Sequence, residues 1–555
     1  MTSHLLNRGI KAALFFALLA STVFSPRAHA DDEARIRPIP IKEWLAASQS
    51  KLSPKELDQL ISNYLTQAKI KPAPRTTDEQ FVRRVYLDLT GNLPYPADIT
   101  EFVADKQPNK RAKLIDKLLA SDEHARHQAR FWRSVIASRL LDRRGQLLGN
   151  SFENWMTKQL KGDKSWADIT RSLLTATGPA RYDDTGKAGA NFFLGSHVGT
   201  DAPVEQAAET SRVFLGIQIN CAQCHDHPSD VWKREQFHEM VAFFARLRQR
   251  PLRDGRRIVG LEMISVERRF MEYRRPDLKD PQQRIVTHPK TLDGTTPRRF
   301  LPDLKRRESL ADWVVDKKNP WFAAAFVNRV WGELLGQSFY SVVDDLGPQK
   351  DAYLPKVVTR LAAAFRGSDY NIKELYRTIL NSETYQRQAR LGSSPSEHLL
   401  FAASYPARLK ADALWDSLER ALGRLAFNFQ RQGNNRYRAR FGLGAQFKQE
   451  FKSDPSLRKE DLEGSIPQAL WLMNNRQINN RIEAIGRNLL GRILTAYPRN
   501  SDALDILYLR ALGRKPTVNE KLKCYAFLRK VSNRREAFED ILWVLINSTE
   551  FQTRR

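Results

Sequence analysis

Cysteine is scarce in this sequence, with three in 555 residues. A fold held together by disulfide bonds needs several pairs, so that class of protein is excluded. Acidic residues are also in deficit, with 63 Asp and Glu against 90 Lys and Arg and a formal net charge of +27. Such a charge favours a polyanionic partner or surface. The hydrophobic share of 41% suffices for packed cores, and the length indicates more than one domain.

A long uncharged apolar run occurs once, over residues 12–23. Basic residues precede it and Ala28-His29-Ala30 follows it, an order typical of a secretory signal peptide. We therefore expect residues 1–30 to be removed and the protein to be exported to a periplasmic or extracellular compartment. An uncleaved membrane anchor is the alternative, although the run is short for a span. No later run is long and uncharged enough to predict a transmembrane segment.

Apolar residues recur at helical spacing through most of the chain, for example at Phe81, Val85 and Leu89. We predict a mainly α fold of two helical lobes with duplicated helical modules, joined by an irregular basic connector. Strand alternation is scarce, and residues 257–264 are its one weak candidate. The predicted division is a signal peptide at 1–30, an N-terminal segment at 31–77, a first lobe at 78–248, the connector at 249–303 and a second lobe at 304–555.

The duplication is indicated by a repeated pattern. Two segments share tyrosine, glycine and proline at identical offsets, which predicts a helix ended by glycine and followed by a proline-initiated segment. Each is followed by an amphipathic stretch that ends in a serine able to cap the next helix, and a third such ending occurs between them. The matched positions are Tyr86, Gly91 and Pro94 with Tyr508, Gly513 and Pro516, and the serines are Ser121, Ser382 and Ser548.

One short motif points to a cofactor. Cys221, Cys224 and His225 form a Cys-x-x-Cys-His element, the sequence to which c-type haem is attached. On a helical turn these positions face the same side, so both thiols can form thioethers while the imidazole ligates iron. Export agrees with this interpretation, because c-type haem is attached outside the cytoplasm. We therefore expect a covalent haem c.

Other occupants of the same motif stay open. Structural zinc held by Cys221, Cys224, His227 and His238 has acceptable ligand types. A disulfide between the two cysteines, redox-active or merely structural, is the other alternative. Cys524 lies in an amphipathic stretch and is interpreted as a buried free thiol.

A bound haem would need further partners. A second axial ligand decides between electron transfer and small-molecule chemistry. Four residues are candidates, with no argument that decides among them: His197, His238, Met240 and Met263. Arg212 is a candidate partner for a haem propionate, with a surface or packing role as the alternative.

Further short motifs follow one another in a fixed order. The first set is residues 81–91 with Pro94, residues 211–216, residues 221–228, Trp232 and Phe243-Phe244. The second set is residues 310–313, 319–320, 327–331, 344–347 and 375–377, then Ser382, Tyr385, residues 467–470 and 473–474. The first set resembles the planctomycete-type domain of unknown function 1549, and the second resembles the companion domain of unknown function 1553. The resemblance covers about residues 78–555.

The resemblance implies an exported protein of a cytochrome c-associated family without a settled activity. Relatives often carry a separate cytochrome c domain ahead of these two, whereas residues 31–77 contain no cysteine here. Many relatives also have His before Trp where this chain has Arg130-Phe131-Trp132. We expect electron transfer, or oxidative chemistry linked to breakdown of an extracellular polymer. The alternative is a non-redox binding or scaffold protein whose cysteines hold zinc or form a disulfide. Whether the protein is an enzyme stays open.

Several other residues are weaker candidates. Asp344-Asp345 resembles an acid pair but is more typical of turn chemistry, and Asn328-Arg329 is interpreted as satisfying buried polar groups. His124 and His127 beside Glu123 are either a two-histidine metal face or a solvated helix start. The dispersed positive charge indicates either a redox partner or an anionic polysaccharide or surface, or else a uniformly basic, solvated surface, and no nucleic-acid partner is expected outside the cell.

Overall fold

The computed structural model describes residues 36–139, 147–267, 272–280, 282–390, 394–423, 425, 442–453, 464–486 and 488–555. The predicted signal peptide lies outside these residues. Within the described part of the chain, no helix is long and apolar enough to cross a membrane.

The fold is mainly α, as predicted. The first helices are α1 (Ile41–Ala46), α2 (Pro54–Gln67), α3 (Asp78–Thr90), α4 (Pro96–Ala104), α5 (Lys110–Leu119), α6 (Asp122–Ala137), α7 (Gly149–Lys161), α8 (Trp166–Leu174), α9 (Asn191–Gly195), α10 (Ala202–Thr210) and α11 (Arg234–Val241). Next come α12 (Asp303–Val315), α13 (Pro320–Leu335), α14 (Pro355–Gly367), α15 (Ile372–Leu380), α16 (Glu383–Gln386), α17 (Pro395–Leu399), α18 (Ala411–Leu422) and α19 (Leu443–Glu450). The last are α20 (Ile466–Asn474), α21 (Arg476–Ile482), α22 (Leu489–Ala496), α23 (Asn500–Leu512), α24 (Val518–Lys530), α25 (Arg534–Asn547) and α26 (Thr549–Gln552).

The strands form small antiparallel sheets. They are β1 (Ile36–Arg37), β2 (Gly178–Arg181), β3 (Leu247–Asp254), β4 (Arg257–Ser265), β5 (Tyr273–Pro276), β6 (Arg284–Thr287), β7 (Ala352–Tyr353), β8 (Ala407–Arg408) and β9 (Thr553–Arg554). The sheets pair β1 with β7, β5 with β6 and β8 with β9, and order the remaining three as β2-β4-β3.

The prediction that the connector is irregular is wrong for much of its length. The strand candidate at 257–264 is present as β4, but it forms a hairpin with β3, and β5 and β6 form a second hairpin. Leu261 and Met263 are buried on one face of β4, while Glu262 between them pairs with Arg250 across the hairpin at 2.6 Å. The Arg- and Pro-rich composition of the segment concealed this short alternation.

The predicted helix ends are present. Each of the three repeated serines accepts a hydrogen bond from the backbone N–H three residues later: His124 for Ser121 (3.1 Å), Tyr385 for Ser382 (3.2 Å) and Phe551 for Ser548 (3.2 Å). Gly91 and Gly513 end α3 and α23 with φ of 68° and 72°. Glycine adopts this left-handed conformation without a steric clash because it has no Cβ atom.

The hydrophobic cores divide the chain differently from the two predicted lobes. The larger core joins helices α1–α8 to α12–α15, and the smaller core joins α18–α26 to Leu87 and Leu93. In the larger core the Trp132 and Trp166 rings stack at 4.1 Å between centroids, and Phe326 of α13 packs on both. Apolar side chains from both halves therefore fill one interior, which the sequence division at 249–303 did not anticipate.

Helix α3 contacts both cores through buried charged side chains. Arg83 Nη1 donates to the Ala511 carbonyl at 3.1 Å, and Arg84 Nη1 donates to the Tyr385 carbonyl at 2.7 Å. The Asp88 carboxylate pairs with Arg554 of β9 at 2.6 Å. These bonds hold the last described strand against the first half of the chain.

Candidate functional site

The Cys-x-x-Cys-His motif follows a sharp change in backbone path after α10. The helix continues as a π-helical turn, Ser211–Leu215, and stops at Gly216, where φ is 66°. A 3₁₀ turn, Ile219–Gln223, then carries the first cysteine, and it is anchored by the buried side chains of Ile219 and Ala222. The two inward-facing apolar residues leave the polar motif positions on the outer side.

Both motif cysteines and the histidine are exposed. Cys221 and Cys224 are free thiols at the surface. The Nδ1 atom of His225 lies 2.7 Å from the Asp226 carbonyl, so Nδ1 carries the proton and Nε2 is the ring acceptor. A backbone carbonyl at the far ring nitrogen is the usual support for a metal-ligating histidine. The chemistry and exposure of these three groups therefore fit covalent haem attachment.

The loop after the motif is closed by its own hydrogen bonds. The Asp226 carboxylate accepts the backbone N–H of Arg234 at 3.0 Å and pairs with Lys233 at 2.9 Å. These two donors, the backbone N–H first, hold the pKa of Asp226 below its usual value. The backbone N–H of His227 donates to the Trp232 carbonyl at 2.8 Å. His225 is therefore attached to a fixed turn at the start of α11.

His238 of α11 lies beneath the motif. Its Nε2 is 3.1 Å from the Gln223 carbonyl, so Nε2 donates there, and Nδ1 accepts from the Tyr273 hydroxyl at 2.8 Å. Burial lowers its pKa to about 4, so the ring is neutral. Both ring nitrogens are engaged, so zinc bound by Cys221, Cys224, His227 and His238 would require one nitrogen of His238 to leave its hydrogen-bond partner. The described residues contain no group of three or more metal-ligating side chains.

The sequence candidates for a second axial ligand are all buried away from the surface that the cysteines occupy. His197 is 7% exposed, and His238, Met240 and Met263 are 3% exposed or less. None of the four is therefore presented beside His225 on the outer side of the loop. Tyr273, which bonds to His238, was missed by sequence reasoning because it lies in a hairpin that carried no motif.

Arg212 belongs to a buried cluster of charges. Its Nε donates to Glu209 at 2.9 Å, Nη1 to Asp344 at 2.8 Å and Nη2 to the Val135 carbonyl at 2.7 Å. Burial alone would lower the pKa of Arg212, but the two carboxylates outweigh it and the pKa is raised. Every guanidinium nitrogen is thus engaged, so of the two roles considered for Arg212 the structure favours packing over the haem propionate contact.

Asp344 also contacts Arg329, which donates to the Val213 carbonyl at 3.2 Å and lies over the Trp132 ring at 5.5 Å. The interpretation of Asn328 as a buried polar partner is confirmed, since it donates to the Val343 carbonyl at 3.0 Å and accepts the Phe339 N–H at 2.8 Å. Asp344 lies in a turn, as predicted, and its carboxylate lies between two buried arginines, which the sequence did not indicate.

The residues after Asp344 form the floor of the motif loop. The Leu346 N–H donates to the Gly216 carbonyl at 2.7 Å, and Lys350 Nζ donates to the Ser229 hydroxyl at 2.9 Å. A side chain at Gly347 would overlap the Asp230 carboxylate, which would have to move aside. The second half of the chain therefore supports the loop that carries the motif.

The pair His124 and His127 forms neither a metal face nor a solvated helix start. His124 is buried, and its Nδ1 donates to the Leu89 carbonyl at 3.0 Å. Glu123 is exposed and pairs with Arg126 at 3.3 Å. The histidine that was expected at a surface is instead a helix-to-helix link between α6 and α3.

Acid should weaken the fold through His124. Burial lowers its pKa to about 4, below the value near 6.5 of an unfolded chain. Between these values the unfolded state binds a proton that the folded state excludes, so the free energy of unfolding falls as pH decreases from about 6.5 to 4, by up to ~1.4 kcal/mol per pH unit. Urea unfolding at several pH values should show a shallower pH dependence for His124→Gln. The exposed control His288→Gln should keep the wild-type slope, and equal slopes in both variants would contradict this role.

In a comparison with known protein families, each half of the chain matches one family. Residues 56–249 match the family described as a protein of unknown function, DUF1549, with the label PSCyt2. Residues 306–454 match the protein of unknown function DUF1553, with the label PSD1. No curated protein and no solved structure matches the chain. The motif loop lies in the first match, and the segment that supports it lies in the second. The chain therefore contains a DUF1549 domain followed by a DUF1553 domain.

Proposed function

We propose that this protein is an exported c-type haem protein that serves in electron transfer, or in oxidative chemistry linked to breakdown of an extracellular polymer. The observation that carries the proposal is the exposed Cys221, Cys224 and His225 set, with His225 Nδ1 bonded to a backbone carbonyl and Nε2 left as an acceptor. The label of the first domain, PSCyt2, hints at a cytochrome association and agrees with it.

In this proposal the motif residues have distinct roles. Cys221 and Cys224 are the thioether positions and His225 is the axial ligand, while Asp226 orients the imidazole through its carbonyl. A haem bound there supplies one-electron chemistry. Lys233 and Lys350 lie beside the loop, and with the net charge of +27 they favour an acidic redox partner or an anionic surface.

The proposal predicts that haem is covalently attached to the protein. The protein, exported in a bacterial host with cytochrome c maturation machinery, should show a Soret band that survives acid-acetone extraction. The tryptic peptide of residues 213–233, which contains both motif cysteines, should carry the mass of haem. Cys221→Ala with Cys224→Ala should abolish the band, because no thiol remains for a thioether. His225→Ala should leave attached haem with an altered Soret position.

Cys524→Ser is the matched control, because it removes a cysteine that is only partly buried and lies near Tyr508, away from the motif. It should leave haem content unchanged. An unmodified 213–233 peptide from correctly exported protein would contradict the proposal. Stoichiometric zinc in that preparation, lost in the Cys221 and Cys224 double variant, would support the scaffold alternative instead.

A further inference from the structure

A second site is suggested by a cavity of about 300 Å³ between the two family domains. Its walls come from α3, α6, α7 and α9 on one side and from α13, α15, α18, α19 and the segment 408–410 on the other, with Arg554 of β9. Apolar side chains such as Phe131, Phe192 and Tyr376 give it the larger part of its surface, and polar and charged side chains supply the rest. This volume is in the range of small-molecule binding sites. The motif cysteines take no part in its walls.

Positive charge is in excess in these walls. Each carboxylate of the wall forms an ion pair with a cation of the wall, and the wall contains more cations than carboxylates. The pairs are Asp88 with Arg554, Glu333 with Lys410 and Asp412 with Lys448. Arg130 and Arg133 also line the cavity, and each binds a carboxylate behind the wall at 2.6 Å, Asp416 and Glu153 respectively.

Two wall cations have no ion pair within the described part of the chain. Arg408 makes one side-chain hydrogen bond, to Gln552 Oε1 at 3.1 Å, and burial lowers its pKa. Lys452 is exposed and has no carboxylate partner there. The guanidinium of Arg554, which is 2% exposed, also has a buried Nη1 without a hydrogen-bond partner. An anion is the group that these donors are best suited to bind.

His127 adds a neutral polar group to the wall. Its ring packs against Gly91, where any side chain would overlap it, and it makes no hydrogen bond to a described residue. Burial, followed by the nearby Arg130, lowers the pKa of His127 to about 3, so the ring is uncharged. A neutral imidazole offers one donor and one acceptor, which suits hydroxyl groups. The ion-paired side chains of the wall can also exchange hydrogen bonds with hydroxyl groups.

We infer that this cavity binds a small hydroxylated organic anion of the size of one or two sugar rings, with its acidic group at Arg408 and Lys452 and its hydroxyls near His127. The anion satisfies the uncompensated wall charge, while the hydroxyls use the neutral and paired groups. The site spans both domains, and it is independent of whether haem is attached to the motif.

Calorimetric titration of the purified protein with galacturonate, galactose 6-sulfate and neutral galactose tests this inference. At least one anionic sugar should bind with a Kd at least about tenfold lower than that of galactose, because only the anions meet the wall cations. A difference between the two anions distinguishes a carboxylate from a sulfate ester as the preferred group. Equal Kd values for all three sugars, or no binding by any of them, would overturn the inference.

Arg408→Gln and Lys452→Gln locate the binding. Each should raise the Kd of the preferred anion about tenfold, and thermal unfolding should confirm that both variants remain folded. Arg256→Gln is the matched control, because Arg256 is exposed in the turn between β3 and β4 and lines no part of the cavity. If Arg256→Gln weakens binding as much as the cavity variants, the anion binds through general surface charge and the assignment of the cavity is wrong.

Discussion

Replacing Asp344 by alanine is expected to lower the free energy of unfolding by about 3–5 kcal/mol. Asp344 is 1% exposed, and its carboxylate lies between Arg212 and Arg329, which are themselves at most 2% exposed. Glu209 would remain beside Arg212, but Arg329 has no other ion pair among the described residues. Removing the carboxylate therefore leaves a buried guanidinium charge uncompensated, and water cannot reach it without opening the interface between the two domains.

The neighbouring residue supplies the control for this substitution. Asp345 pairs with Lys350 at 3.1 Å in a partly exposed position, so Asp345→Ala should cost no more than ~1 kcal/mol. Urea unfolding followed by tryptophan fluorescence measures both variants under the same conditions. If Asp344→Ala lowered the free energy of unfolding as little as Asp345→Ala is expected to, the buried cluster would not stabilise the fold.

Trp132→Ala is expected to cost a similar amount, about 3–5 kcal/mol, through the loss of a large buried side chain. The indole is 1% exposed and stacks on Trp166 of the first domain and Phe326 of the second, and the Arg329 guanidinium lies over it. The remaining side chains are held by helices α8 and α13, so they cannot collapse into the vacated space.

Leu522→Ala is the comparison for Trp132→Ala. Leu522 lies on α24 with 61% of its surface exposed, so its truncation should change the free energy of unfolding by no more than ~0.5 kcal/mol. Because Trp132 joins the two domains, circular dichroism and fluorescence should report one coincident, shifted transition for Trp132→Ala. A change below ~1 kcal/mol would mean that the cavity is refilled by neighbouring rings.

Local features were predictable from sequence because their causes are local. Ser121, Ser382 and Ser548 cap the following helices, and Gly91 and Gly513 end theirs at positive φ, as the offsets indicated. The mainly α composition follows from the same periodicity. The exposure of the cysteine motif was also consistent with its polar neighbours, although its occupant stays a proposal.

Features that depend on distant residues were not predictable. Arg212 and Asp344 are separated by 132 positions, and nothing near either residue indicates that they form an ion pair. The sequence therefore indicated only the turn at Asp344, and it left a packing role and a propionate contact as alternatives for Arg212. The cavity was missed for the same reason, since its walls combine short stretches from six or more elements that share no spacing pattern. Only the folded chain brings these charges together.

The bonds of helix α3 have a consequence for how fast this protein can fold. Asp88 and Arg554 are 466 positions apart, and Arg83 reaches carbonyls 467 to 470 positions away. Contacts of such sequence separation require the closure of a very long loop before they contribute any stabilisation, which slows the search for the native state. Until that closure, the apolar faces of α3 and of the helices around β9 stay open to water. The protein should therefore pass through a long-lived, aggregation-prone intermediate in which the separate helical clusters have formed but have not yet joined.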